Sequence, residues 1–270
     1  MRRHSGRAAP ATDSAGPIIA AGKLDKSRAR TRSLLSLSRR VNRDQLAQPV
    51  AADASLKDFF SSLPDVLAAR DLLQLARYIA GAKRAGKLSL LMMGAHPLKV
   101  GLGPLICDLI RRGIFNALAT NGAAMIHDFE LTFAGRTSED VDAGLADGSF
   151  GMAEETGRFL NRAATTAARE GRGLGEVVGR ELANSGFKFA RDSVFACAYQ
   201  ARISATIHVT IGADIIHMHP SADGAAIGAA TMTDFHRMVA LVGALSRGVV
   251  VNLGSAVVMP EVFQSAQPRP

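Results

Sequence analysis

Residues 93–130 read MGAHPLKVGLGPLICDLIRRGIFNALATNGAAMIHDFE, and this stretch decides the fold. An apolar run over 88–93 leads into a polar turn. An amphipathic segment over 101–112 follows, and then a second apolar run over 117–120. The small-residue turn Asn121-Gly122-Ala123-Ala124 opens a further helical segment. Strand, helix and strand in that order predict a parallel β-α-β unit, since parallel strands need a crossover between them. Sheets of this kind bind ligands outside the carboxyl ends of their strands. Both ends carry polar groups here: His96 and Lys99 after the first strand, and Asn121, His127 and Asp128 after the second.

Upstream, Ser55 is placed to cap a helix. Leu56, Phe59, Phe60, Leu63, Val66, Leu67, Leu72, Leu75 and Ile79 continue an amphipathic pattern that breaks at Pro64. Downstream, residues 138–186 predict helices broken at Gly148, Gly171 and Gly186, and residues 193–202 predict another. Residues 203–209 and 214–217 read as β-rich, 222–228 as a small-residue turn and 233–245 as a helix. Residues 248–253 read as a buried strand ending in Gly254-Ser255-Ala256. Strands alternating with helices predict an α/β protein with an open, mostly parallel sheet. The expected organisation is a basic, disordered leader over 1–50, one α/β domain over 51–263 and a loose tail over 264–270.

The formal charge of +8 belongs to the leader. Residues 1–43 hold eleven Lys/Arg against Asp13 and Asp25, a net of +9, so the other 227 residues sum to −1. No nucleic-acid partner is expected for the folded body. No apolar run approaches the roughly 20 residues that span a bilayer. Arg2 and Arg3 have no apolar segment behind them, so no secretory signal is expected and the predicted location is cytoplasmic. Cys107 and Cys197 are expected to be buried free thiols.

Three clusters carry candidate chemistry. The Asn121–Ala124 turn lets backbone N–H groups approach a ligand, although a plain turn uses the same residues. His217 and His219, two apart on an expected strand, would share a face and could share a metal; hydrogen-bonded polar residues are the plainer reading. Asn252-Leu253-Gly254-Ser255-Ala256 is a third edge of the same pocket or simply close packing. No G-x-S-x-G elbow surrounds Ser255. Glu154-Glu155 and Glu139-Asp140 read as solvated helix faces.

Taken together these segments resemble deoxyhypusine synthase, and more closely the bacterial deoxyhypusine synthase-like proteins. The resemblance rests on Ala95-His96-Pro97-Leu98-Lys99-Val100-Gly101, Thr120-Asn121-Gly122-Ala123-Ala124 and Ile126-His127-Asp128. It continues through Ser221-Ala222-Asp223-Gly224-Ala225 and Leu253-Gly254-Ser255-Ala256-Val257-Val258, and covers roughly residues 55–263. It implies a Rossmann-like fold with helices on both faces of the sheet, NAD as cofactor, and a homo-oligomer, dimer or tetramer. The implied cofactor contacts are His96, Lys99, Asn121, Gly122, Ala123, His127, Asp223, Gly254 and Ser255, with Asp223 suited to a ribose hydroxyl.

The family's catalytic lysine lies in a C-terminal Glu-Ala-Val-Ser-Trp-Gly-Lys segment. This chain has no Trp, its last lysine is Lys188, and Met259-Pro260-Glu261 stands where the family has Lys-His-His. The expectation is therefore a shortened family member that binds NAD. If enzymatic, it is an NAD-dependent transferase or oxidoreductase acting on a small amine, with no catalytic residue assigned and deoxyhypusine synthesis itself not expected. Two alternatives stand beside it: a metal-dependent hydrolase built on His217 and His219, and a non-catalytic binding protein.

Overall fold

The computed structural model describes residues 26–267, so the first half of the expected leader and the last three residues of the tail lie outside the described residues. From 26 to 50 the chain runs along the surface with three short 3-10 turns. Helix α1 spans Leu56–Ser62. It starts where expected, because Ser55 accepts from the Asp58 N–H while the Asp58 carboxylate accepts from the Ser55 N–H. Helix α2 spans Leu67–Arg84. The expected apolar face of this pair is only partly covered by the rest of the described chain: Leu63, Val66 and Leu75 are half-buried and Ile79 packs on the core, while Leu56, Phe59, Phe60, Leu67 and Leu72 are exposed.

Strand β1, Ser89–Met93, is followed by α3, His96–Lys99, and α4, Gly103–Arg111. The helix expected over 101–112 is α4, while the polar turn before it holds the extra short helix α3; Gly101, at φ 82°, a conformation open to glycine, separates the two. Strand β2, Ala117–Asn121, runs into α5, Gly122–Ala134. The helical stretch then comprises α6, Val141–Asp147, α7, Glu154–Glu170, and α8, Leu174–Ala183. The expected breaks at Gly148 and Gly171 are left-handed C-caps. Next come α9, Val194–Gln200, β3, Ser204–His208, α10, Gly224–Gly243, β4, Val249–Leu253, and α11, Val258–Ser265.

Two expectations after β3 are corrected. Residues 214–217 are not a strand: the Asp214 carboxylate accepts from the Thr210 N–H, folding the chain into a turn and then a 3-10 helix, Ile215–Met218. The segment 222–228 is not a turn but the start of α10. Asp223 Oδ1 accepts from the Ala225 and Ala226 N–H groups, and this cap starts a helix that small residues can enter without strain.

The four strands form one sheet in the order β3-β2-β1-β4, every pairing parallel. Side chains alternate between its faces. Leu91, Met93, Leu118 and Ile207 pack against α4, α5, α7, α8 and α9 through Ile110, Met125, Phe129, Leu160, Val178 and Phe195. Leu90, Met92, Ala117 and Ala119 pack against α10 and α11 through Met238, Val242 and Met259. Each fully buried large side chain of this kind stabilises the fold by roughly 1.5–3 kcal/mol. The expected α/β class with helices on both faces is what the chain adopts. The order reverses between β1 and β4, so the carboxyl ends of these two neighbours diverge into different connections.

Candidate functional site

Four turns meet at the carboxyl edge of the sheet. Asn121 ends β2 and caps α5, its Oδ1 accepting from the Ala124 N–H at 3.1 Å. Beyond it, α5 carries Ala123, Ile126, His127 and Glu130 along the wall of a cavity of about 180 Å³. The other walls are Lys99 of α3, Ser138 and Glu139 after α5, and Ala213, Asp214 and Ile215 after β3. Of the nine residues expected to hold a cofactor, this cavity brings together Lys99, Ala123 and His127.

His127 is held by a relay. Its Nδ1 lies 2.6 Å from Thr137 Oγ1, and the Thr137 hydroxyl donates to Glu130 Oε2. A carboxylate only accepts, so the single hydroxyl proton goes to Glu130 and Thr137 must receive the Nδ1–H of His127. That fixes the tautomer and leaves Nε2 with its lone pair. Burial, reinforced by the positive charges of Lys99 and His96, pushes the His127 imidazole down to about 4. The result is a neutral, weakly basic imidazole whose Nε2 can accept a hydrogen bond, in a cavity that also carries Glu130, Glu139 and Asp214.

Asp214 supplies the tightest contact in the site. A Cβ on Gly122 would stand 2.0 Å from Asp214 Oδ2, so the carboxylate fills the space at the first residue of α5. Burial raises the Asp214 carboxyl above its ordinary range, against the opposing hydrogen bond from the Thr210 N–H and the charge of His217. A helix start welcomes an anion, and here the anion is the chain's own. The phosphates of a dinucleotide therefore do not fit at the start of α5 in this arrangement.

The other expected contacts lie nearby or apart. At the reversal, a Cβ on Gly94 would meet the Gly254 carbonyl oxygen at 2.6 Å. Gly254, at φ 69°, packs on Pro97 and the His96 Cβ. The two glycine turns thus close on each other. Ser255 Oγ accepts from the Met259 N–H, which gives this hydroxyl a structural task in the first turn of α11. Asp223 is exposed and engaged in capping α10.

Asp128 is buried and turned away from the cavity. It accepts from Ser193 Oγ at 2.6 Å, the Val194 N–H at 2.9 Å and the Phe195 N–H at 3.4 Å, fastening the start of α9 to α5. Burial still pushes it up to about 6, against those hydrogen bonds.

The His-x-His pair does not stand on a strand. His219 is buried, with Nδ1 2.7 Å from Ser221 Oγ and Nε2 3.2 Å from Glu154 Oε2. Gly157 of α7 leaves room for its ring. His217 Nδ1 accepts from the Gly212 N–H. Among the described residues no group of three His, Cys, Asp or Glu side chains converges on a metal position. Glu154 and Glu139 are exposed, as expected of solvated faces; Glu154 also reaches His219, and Glu139 lines the cavity while accepting from the Gly151 N–H.

Glu130, Thr137 and Asp214 were not singled out by sequence. Glu130, one helical turn after His127, was the signal available; Thr137 and Asp214 arrive through loops that carry no periodicity.

No protein-family model matches the chain, and no curated protein matches it. Three solved structures are similar in part. One is AgrE in a ternary complex with ornithine and NAD+, 19% identical over 72% of this chain and 25% of that one, with a TM-score of 0.48. Another, described as a LOR/SDH protein from Methanococcus maripaludis S2, is 14% identical over 91% and 61%, at 0.47. The third, described as a deoxyhypusine synthase from Entamoeba histolytica, is 13% identical over 67% and 53%, at 0.35. The chain spans less than two thirds of the length of each. A likeness of this degree transfers neither activity nor ligand to this chain. No helix among the described residues is long and apolar enough to cross a membrane.

Proposed function

We propose that the chain binds a small cationic amine in the cavity between α3, α5 and the loop after β3, and that the neutral His127 accepts a hydrogen bond from its ammonium group. The observation that carries this reading is the Glu130–Thr137–His127 relay, which leaves Nε2 as an acceptor. Glu130, Glu139 and Asp214 outnumber Lys99 as charged groups around the cavity, so a cation is favoured there over an anion. A volume of about 180 Å³ suits a short aliphatic amine and is below that of common drug-sized pockets.

The sequence resemblance to deoxyhypusine synthase-like proteins supports an amine as ligand and adds NAD, which would supply the hydride acceptor when bound. His96 and the Gly254–Ser255 turn remain as contacts for it. Binding its phosphates at α5 would require Asp214 to leave Gly122. A homo-oligomer is part of the same reading, supported by the uncovered apolar residues of α1 and α2.

The test is calorimetric titration of the purified chain with 1,4-diaminobutane at neutral pH, in the wild type and in His127→Gln and Glu130→Gln. Binding that both substitutions weaken supports the site. An equal affinity in all three proteins, or no binding by the wild type, rejects it.

A further inference from the structure

We propose that the cleft at the amino end of β3 binds a phosphate monoester of a small polyhydroxylated molecule, the chemistry of a sugar phosphate. The cleft lies at the opposite end of the sheet from the His127 cavity, and the inference does not rest on the amine reading. Its volume is about 620 Å³, and Glu176, Tyr199, Gln200, Arg202, Ser204 and Arg237 line it. Small-molecule sites have volumes of this order.

Arg202 stands where the backbone favours glycine. The helices before β1, β2 and β3 end in the same motif. After α2 the N–H groups of Gly86 and Lys87 reach back to the carbonyls of Lys83 and Ala82. After α4 those of Gly113 and Ile114 reach Ile110 and Leu109, and after α9 those of Arg202 and Ile203 reach Tyr199 and Ala198. The turning residue is left-handed each time, at φ 61° for Gly86, 62° for Gly113 and 56° for Arg202. Glycine takes that conformation without strain, and an L side chain does not. The cap gives no reason for an arginine there. Among the described residues the Arg202 guanidinium has no ion-pair or hydrogen-bond partner, and it lines the cleft. Strain of this kind persists where a function uses it.

The charges favour an anion. Arg237 Nη2 lies 2.6 Å from Glu176 Oε2, and Arg172 pairs with Glu176 Oε1. Glu176 is the only carboxylate lining the cleft among the described residues, and these two guanidinium groups match it. Arg202 then adds an unmatched positive charge. The ion pair holds the Arg237 plane through Nη2 and leaves the rest of its five-donor fork. The start of α8 takes no part, because its Gly175 N–H already donates to Asp234 Oδ2. A phosphate monoester is close to a dianion at neutral pH and offers three acceptor oxygens, enough for both arginine forks. Tyr199, Gln200 and Ser204 supply hydroxyl and amide groups for the hydroxyls of a sugar.

The test is calorimetric titration of the full chain with glucose 6-phosphate, glucose and inorganic phosphate at neutral pH. We expect glucose 6-phosphate to bind with a Kd below about 1 mM, and glucose not to bind. Arg202→Gly should weaken the ester about tenfold through loss of a charge-assisted hydrogen bond. Its Tm should equal or exceed that of the wild type, since glycine relieves the left-handed strain. Arg237→Gln should weaken the ester by a similar factor, and His127→Gln should bind it as the wild type does. No binding of the ester, inorganic phosphate binding as tightly as the ester, or unchanged affinity in Arg202→Gly overturns the proposal. A Tm that falls together with the affinity in Arg202→Gly makes this arginine structural and overturns it as well. The Arg202→Gly arm decides even if Arg237→Gln folds poorly.

Discussion

Asp214 lies against Gly122 closely enough that no side chain fits between them: a Cβ at 122 would stand 2.0 Å from Oδ2. The contact fastens the loop after β3 to the start of α5, across the adjacent carboxyl ends of β2 and β3. Gly122→Ala should destabilise the fold by about 1–3 kcal/mol through overpacking, although Ala is the better helix former. Thermal unfolding of the variant checks this. An unchanged or higher Tm would mean that the Asp214 loop moves aside without cost.

The same contact governs any dinucleotide. With a carboxylate at the start of α5, wild-type protein should bind NAD weakly, and Asp214→Asn should bind it more tightly by about tenfold as one charge is removed. Titration with NAD on both proteins decides. Tight wild-type binding that the substitution leaves alone would place the phosphates elsewhere, at the Gly94 and Gly254 turns.

Amine binding should follow the protonation of His127. Its imidazole, pushed down to about 4, stays neutral through the neutral range. Affinity for diaminobutane should hold from about pH 8 to about pH 6 and fall as the pH approaches 4. Thr137→Val removes the group that accepts from Nδ1, frees the tautomer and should cost roughly 0.5–1.5 kcal/mol of binding. A pH profile that is flat down to 4 in the wild type would remove His127 from the site.

Asp234 makes a separate prediction about stability. It is fully buried; its Oδ2 accepts from the Gly175 and Ile207 N–H groups while Oδ1 has no partner. Burial pushes it up to about 7, against a starting value of 3.8. The folded state therefore holds this proton more tightly than the unfolded one. The stabilisation is complete below about 3.8 and is lost as the pH rises to about 7. Depressed His127 and His208 work in the opposite direction between about 4 and 6.5, so the wild type alone does not isolate the effect. Asp234→Asn does: its stability relative to wild type should rise by on the order of 3 kcal/mol between pH 4.5 and pH 8. Denaturant midpoints at the two pH values measure it, and a constant difference would show that Asp234 is ionised throughout.

The β-α-β unit at 89–121 was legible because apolar runs, a glycine break and a helix cap are local signals. Asn121 capping α5 and Ser55 capping α1 were legible for the same reason. The segment at 214–217 reads as β-rich since Ile215 and Ile216 carry β-propensity, while the deciding interaction is one hydrogen bond that the Thr210 N–H donates to the Asp214 carboxylate. The start of α10 was misread because a run of small residues has turn composition, and the Asp223 cap outweighs it.

What the sequence by itself determined is the parallel α/β class and the placing of polar residues at the strand ends. Periodicity and caps act over a few residues, and that range suffices for both. Which of those residues share a cavity was decided only by tertiary structure. Lys99 comes from α3, His127 and Glu130 from α5, and Glu139 and Asp214 from two loops, and they meet because the order β3-β2-β1-β4 sets β2 beside β3, bringing the loop after β3 onto α5. Burial then sets their chemistry: desolvation makes His127 neutral, and desolvation depends on neighbours that no local pattern names.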